Sequence, residues 1–179
     1  MPHLMALLAF FRSPLRIALA TGLVVAAGVL AWWAMPGSGQ RAPQVTFTTI
    51  QGEVIIPKDL DGKVTLVNFW ATDCEPCLVE LPRLAATHNR LRSLGLQTVA
   101  VAMAHDRPDR VIAYAQQHAL PFKVAIDPQG EAAKLFGDVS FTPTTFLIDK
   151  HGRIVRRWQG EPDYGALERL VQQTLEEKA

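Results

Sequence analysis

Apolar positions along the chain follow three rhythms. A run without a charged residue covers 17–35, interrupted only by Thr21, Gly22 and Gly28. Short β-rich runs predict strands over 45–50, 53–56, 64–70, 97–104, 122–126, 144–149 and 153–159. Helical spacing predicts helices over 75–94, 108–119, 130–136 and 163–178. The 75–94 helix carries Leu78, Leu81, Leu84, His88 and Leu91 on one face, a kink is expected at Pro82, and Gly95 ends it. Asp106 is a candidate cap for the helix that Pro108 opens. The 64–70 run, VTLVNFW, has no polar alternation and reads as a strand buried on both faces. Alternation of strands and helices, then a hairpin through Lys150-His151-Gly152 and a terminal helix, predicts an α/β domain. Its mixed central sheet is flanked by helices.

The 17–35 run would make a helix roughly 28 Å long at about 1.5 Å per residue, close to the ~30 Å hydrocarbon core of a bilayer. Arg12 and Arg16 flank its start, and Trp32 and Trp33 its far end. The positive charges hold the start in the cytoplasm, and the indole rings suit the membrane interface. A cleaved signal peptide is the competing reading, with Gly37 and Gly39 as small residues near a cleavage point. The length of the run and the Trp pair favour an uncleaved anchor. The chain thus divides into a short cytoplasmic segment, 1–16, a transmembrane anchor, 17–35, a linker, 36–44, and a globular domain, 45–179. Either reading exports the domain to a compartment where disulfides form.

Composition narrows the function. The 179 residues are 49% hydrophobic and 20% charged, which excludes a disordered chain. A formal net charge of +1 leaves no basic footprint for nucleic acid. Two cysteines are too few for a disulfide scaffold or a four-thiolate zinc site.

Those cysteines form Cys74-Glu75-Pro76-Cys77, directly after a buried strand and at the start of a helix. Unpaired N–H groups and the positive end of the helix dipole there stabilise a thiolate, the nucleophile of thiol–disulfide exchange. Cys74 is the expected attacker and Cys77, one turn further in, the resolver. A structural disulfide closing so small a loop would stabilise little. Half a zinc site lacks partners, because His3, His88, His105, His118 and His151 show no metal-binding spacing. A copper site would need His105 or Met103 near the sulfurs.

Phe69-Trp70-Ala71-Thr72 before the CEPC motif, with Phe141-Thr142-Pro143-Thr144-Thr145-Phe146-Leu147-Ile148-Asp149 later, resembles the membrane-anchored thioredoxin-like reductases of the TlpA/ResA/CcmG type. The resemblance covers essentially all of 41–179. It implies a thioredoxin fold with an N-terminal β-hairpin and a central αβ insertion. It also implies a domain on the periplasmic side of the bacterial inner membrane, spanned once. There it would reduce protein disulfides, apocytochrome c among them, with a membrane electron-transfer protein as reductant. No cofactor or metal is implied. Pro143 matches the family's cis-proline facing the dithiol, and the backbone of Thr142 would pair with the substrate chain. Glu80 matches an acid that exchanges protons with Cys77. Trp70 and Asp73, beside the dithiol, complete the residues expected to meet substrate.

Two positions depart from the pattern. Asp73 stands where these proteins usually carry Trp, and its charge disfavours a neighbouring thiolate. Asn68 occupies the place of thioredoxin's buried acid and cannot accept a proton, which leaves that task to Glu80. Two other functions compete: a copper-binding assembly protein using Cys74, Cys77 and His105, and a thiol peroxidase of the peroxiredoxin branch. The peroxidase needs a Pro at fixed spacing before its cysteine, and none lies between Pro57 and Cys74.

Overall fold

Seven strands form one sheet in the order β2-β1-β5-β4-β3-β6-β7 in a computed structural model that describes residues 39–177. The strands are β1 (Phe47–Thr49), β2 (Val54–Ile55), β3 (Val64–Trp70), β4 (Leu96–Ala102), β5 (Lys123–Ile126), β6 (Thr144–Ile148) and β7 (Ile154–Gln159). The helices are α1 (Pro57–Leu60), α2 (Glu75–Leu91), α3 (Pro108–Gln117), α4 (Glu131–Leu135) and α5 (Tyr164–Glu176). The transmembrane anchor expected over 17–35 and the segment before it lie outside the described residues. Among the described residues no helix is long and apolar enough to cross a membrane.

β3 holds the centre, parallel to β4 and antiparallel to β6. All seven of its residues are buried, as a largely apolar run without polar alternation requires. Its alternate side chains divide between two layers. Val64, Leu66 and Trp70 join Leu81 and Leu84 of α2 and Leu167 and Val171 of α5, while Val67 and Phe69 join Phe136 and Phe146 on the other face. Asn68 belongs by the same alternation to the α2 face, and so does Thr145 of β6, two residues before Leu147. The β1–β2 hairpin precedes the thioredoxin fold, and α3 with β5 is inserted into it. The expected architecture is present.

Local differences have physical causes. α2 runs unbroken through Pro82, which has no N–H for the carbonyl of Leu78. Tyr114 of α3 donates its hydroxyl to that carbonyl instead, at 3.5 Å. Residues 39–42, read as linker, hydrogen-bond along the β6–β7 turn. Gly39 N–H donates to Ile154 O and Ala42 N–H to Gly152 O, so the domain starts before residue 45. The extended backbone of this polar stretch finds free partners at the sheet edge. The one-turn helix α1 was not expected either; the Asp59 carboxylate accepts the Ile56 N–H at 2.9 Å and closes it.

Candidate active site at the start of helix α2

The link from β3 to α2 is held from the side by the segment after β4. Met103 N–H donates to Trp70 O at 3.0 Å, extending the parallel ladder by one step. Asp106, nearly buried, accepts the Thr72 N–H at 2.6 Å, the Thr72 hydroxyl at 2.7 Å and the Arg107 N–H at 2.8 Å. Arg107 turns its guanidinium to Asp109, so neutral donors alone satisfy the Asp106 carboxylate. Asp106 is thus no cap for α3, whose N-cap is Arg107. Its work is to anchor the loop two residues before Cys74. Asp106→Ala leaves those donors without their acceptor and is expected to destabilise the fold by about 2–3 kcal/mol. An unchanged urea midpoint would contradict this anchoring role.

Cys74 is the N-cap of α2, and its Sγ accepts the Cys77 N–H at 3.3 Å. Glu75 and Pro76 fill the first turn, where the fixed φ of proline costs no helical hydrogen bond. Cys74 and Cys77 are joined in a disulfide. Cys74 is half-buried and Cys77 is 1% exposed, so the sulfur at the helix end is the one a partner can reach.

One turn after Cys77, Glu80 is 1% exposed among neutral donors. Thr145 donates its hydroxyl to Glu80 Oε1 at 3.1 Å, and Asn68 Nδ2 donates to the same oxygen at 3.3 Å. Oε2 has no partner. Burial pushes the carboxyl up to about 7; the Thr145 hydrogen bond opposes this and the charge of Glu161 adds to it. Tyr164 of α5 covers the helix here, donating its hydroxyl to Glu80 O at 3.2 Å. Burial and the adjacent Glu80 hold the Tyr164 phenol well above its usual range. Glu80 is therefore an acid that changes charge near neutrality, one turn from the shielded cysteine.

The Thr142–Pro143 peptide bond is cis. Thr144 pairs with Phe69, so Pro143 sits beside the end of β3 from which the dithiol loop departs. Gly160 N–H donates to Pro143 O at 2.8 Å. Phe141, 57% exposed, and Val79, 51% exposed, supply apolar surface on the Pro143 segment and on α2.

Trp70 corrects the expectation of substrate contact. It is 0% exposed because β3 is covered on both faces, and its ring packs on Tyr114 at 5.4 Å between centroids. It forms floor, not surface. Asp73 is open to solvent, and its Oδ1 stands 3.4 Å from His105 Nε2. His105 is thereby directed to a carboxylate, and no group of three metal-ligating His, Cys, Asp or Glu side chains occurs among the described residues. The contributions of Thr145, Tyr164 and Tyr114 were not expected. For Thr145 the strand alternation two residues past Pro143 was a usable signal; for the tyrosines, on separate helices, there was none.

Comparison with known proteins agrees with this geometry. Residues 38–157 match the AhpC/TSA family. The chain belongs to that family. Within it, the thiol-disulfide oxidoreductase ResA of Bacillus thuringiensis is 35% identical over 133 residues, covering 74% of this chain and 76% of that protein. ResA of Bacillus subtilis is 32% identical over 149 residues, 82% of each chain. The crystal structure of a DsbE-type thiol:disulfide interchange protein from Chlorobium tepidum superposes with a TM-score of 0.71 at 31% identity, covering 77% of this chain and 97% of that one. This AhpC/TSA protein is a thiol:disulfide oxidoreductase of the ResA type, acting on protein disulfides.

The exchange follows from the positions of the two sulfurs. The Cys74 thiolate can attack one sulfur of a substrate disulfide, forming a mixed disulfide while the displaced substrate thiolate takes up a proton. Cys77 can then give up its proton and attack Cys74 Sγ. The mixed disulfide breaks, the second substrate thiol leaves, and the Cys74–Cys77 bond carries the two electrons' worth of oxidation.

Proposed function

We propose that this oxidoreductase is anchored in the bacterial inner membrane by residues 17–35 and reduces protein disulfides on the periplasmic side. Its substrates there are the cysteines of apocytochrome c before haem attachment, and a membrane electron-transfer protein regenerates its dithiol. The observation that carries the reading is the asymmetry of the pair: a reachable Cys74 at a helix N-terminus backed by a shielded Cys77 and the buried Glu80. An apolar leader with basic residues at its start supports the location. Thr142 and Pro143 hold the substrate as an added strand, and Glu80 takes the proton that Cys77 gives up. Asp73, directly before Cys74, and His105 form an exposed polar pair that a partner meets.

The test is capture in the cell. A Cys77→Ser variant, acid-quenched and alkylated, is expected to carry apocytochrome c in a reductant-sensitive link to Cys74. Finding no apocytochrome c on the variant, together with undiminished c-type cytochromes in cells lacking the protein, would refute this choice of substrate. A periplasm-dependent reporter fused after residue 179 is expected to be active, and its inactivity would refute the location.

A further inference from the structure

Glu80 is gripped by one of its two carboxyl oxygens. Oε1 accepts the Thr145 hydroxyl at 3.1 Å and one N–H of Asn68 Nδ2 at 3.3 Å, while Nδ2 also donates to Thr145 Oγ1 at 2.9 Å. The three side chains come from α2, β6 and β3 and close a small ring of hydrogen bonds. None is more than 1% exposed. Two buried atoms of the same groups are left over, Glu80 Oε2 and Asn68 Oδ1, and neither has a hydrogen-bond partner among the described residues. Both are acceptors while the carboxyl is charged, so neither can satisfy the other. A single hydrogen between them would satisfy both.

A carboxyl and a primary amide are complementary in one protonation state only. With a hydrogen on Oε2, the acid offers O–H and C=O to the C=O and N–H of the amide, and two parallel bonds close. One of the two, from Nδ2 to Oε1, is already in place. We propose that Asn68 and Thr145 are positioning residues for the proton of the resolving step: they hold Oε1 as an acceptor, so that the proton Glu80 takes from Cys77 rides on Oε2 and is shared with Asn68 Oδ1. The proposal rests on the reading of Glu80 as the base for Cys77. In that step the Cys77 S–H bond breaks and its hydrogen goes to Oε2. The electron pair left on sulfur forms the Cys74–Cys77 bond, and the substrate thiolate leaves Cys74 with the pair of the broken mixed disulfide. The arrangement needs a neutral residue at position 68. An aspartate there would set two carboxylates against each other. Of the other titratable groups around Glu80, Tyr164 gives its hydrogen to the Glu80 backbone carbonyl, and Glu161 acts through its charge.

Infrared difference spectra of the oxidised protein, recorded on either side of pH 7, read the acid directly, its band identified by its loss in Glu80→Gln. If the proton rides on Oε2, the remaining C=O is Oε1, which accepts two hydrogen bonds, and its stretch lies below that of a free carboxylic acid. Thr145→Val is expected to move this band to higher wavenumber, and Thr145→Ser, which keeps the hydroxyl, to leave it in place. With carbon-13 in the asparagine side-chain carbonyls, the Asn68 band, assigned by its loss in Asn68→Leu, is expected to fall in wavenumber as Glu80 takes its proton. A carboxyl band at the free-acid position that Thr145→Val does not move, or an Asn68 band that ignores the titration, overturns the proposal and leaves the role of Glu80 as base untouched. Thr145→Val also removes a hydrogen bond to the charged carboxyl, so the pH midpoint of the resolving step is expected to rise by about one unit, and Thr145→Ser to restore it. A resolving step whose pH profile ignores both Thr145→Val and Glu80→Gln would remove Glu80 from the reaction, and Asn68 and Thr145 with it.

Discussion

Cys74→Ser is expected to slow disulfide reduction by at least about a thousandfold, and Cys77→Ser to complete the first step and stop there. The two losses differ because the two sulfurs occupy different environments. Cys74 is the N-cap, half-buried, with the Cys77 N–H directed at its sulfur and the first turn of α2 behind it. A serine there has no accessible oxyanion at neutral pH, and the buried Cys77 cannot be reached in its place. Cys77→Ser keeps the attacker and removes the resolver, so each molecule consumes one substrate disulfide and remains attached to it. Single-turnover mixing with a disulfide-bonded peptide, followed by mass spectrometry of the quenched protein, separates the cases. Turnover by Cys74→Ser near the wild-type rate, or a peptide found on Cys77, would reverse the assignment.

Glu80→Gln is expected to make the oxidised protein more stable above pH 7 and to slow its reaction. The carboxyl titrates near 4.5 when free and is pushed up to about 7 by burial in the fold. The native state therefore binds a proton that the unfolded chain has released over this interval. The stability tied to that proton is fully present below about pH 4.5 and is lost as the pH rises through about 7. A displacement of this size corresponds to about 3 kcal/mol, which Gln, always neutral, does not lose. Gln retains an oxygen for Thr145 and Asn68. The variant and wild type should match at pH 4 and separate by up to about 3 kcal/mol at pH 8, measured by urea unfolding. The cost falls on the reaction, since the resolving step loses its base and slows on the order of a hundredfold at pH 7. Equal pH dependence of stability in the two proteins would mean that the fold leaves the Glu80 carboxyl at its free value.

Most of the fold and the centre of the site could be read from the sequence, for reasons that lie in particular residues. The 64–70 run marked a strand that is buried along its whole length, and the CxxC after it marked the helix N-terminus. Thr142-Pro143 carried the cis bond through family likeness alone, since an isolated Thr-Pro gives no sign of its isomer. What stayed hidden depends on contacts between distant elements. Trp70 looks like a surface aromatic beside a reactive cysteine until the sheet order places β3 at the centre. Asp106 looks like a helix cap because it stands near Pro108, but its partner, Thr72, lies 34 residues away in the chain. Residues 39–42 have the composition of a linker, yet their backbone finds an open sheet edge, which composition does not register.

The central claim is that the sulfur at the N-cap of α2 is the nucleophile, and differential alkylation of the fully reduced protein tests it most directly. At pH 7, with a small haloacetamide, Cys74 is expected to react several times faster than free cysteine, and Cys77 to stay unmodified until the protein is unfolded. Slow modification of Cys74, or modification of Cys77 ahead of it in the folded protein, would contradict the account.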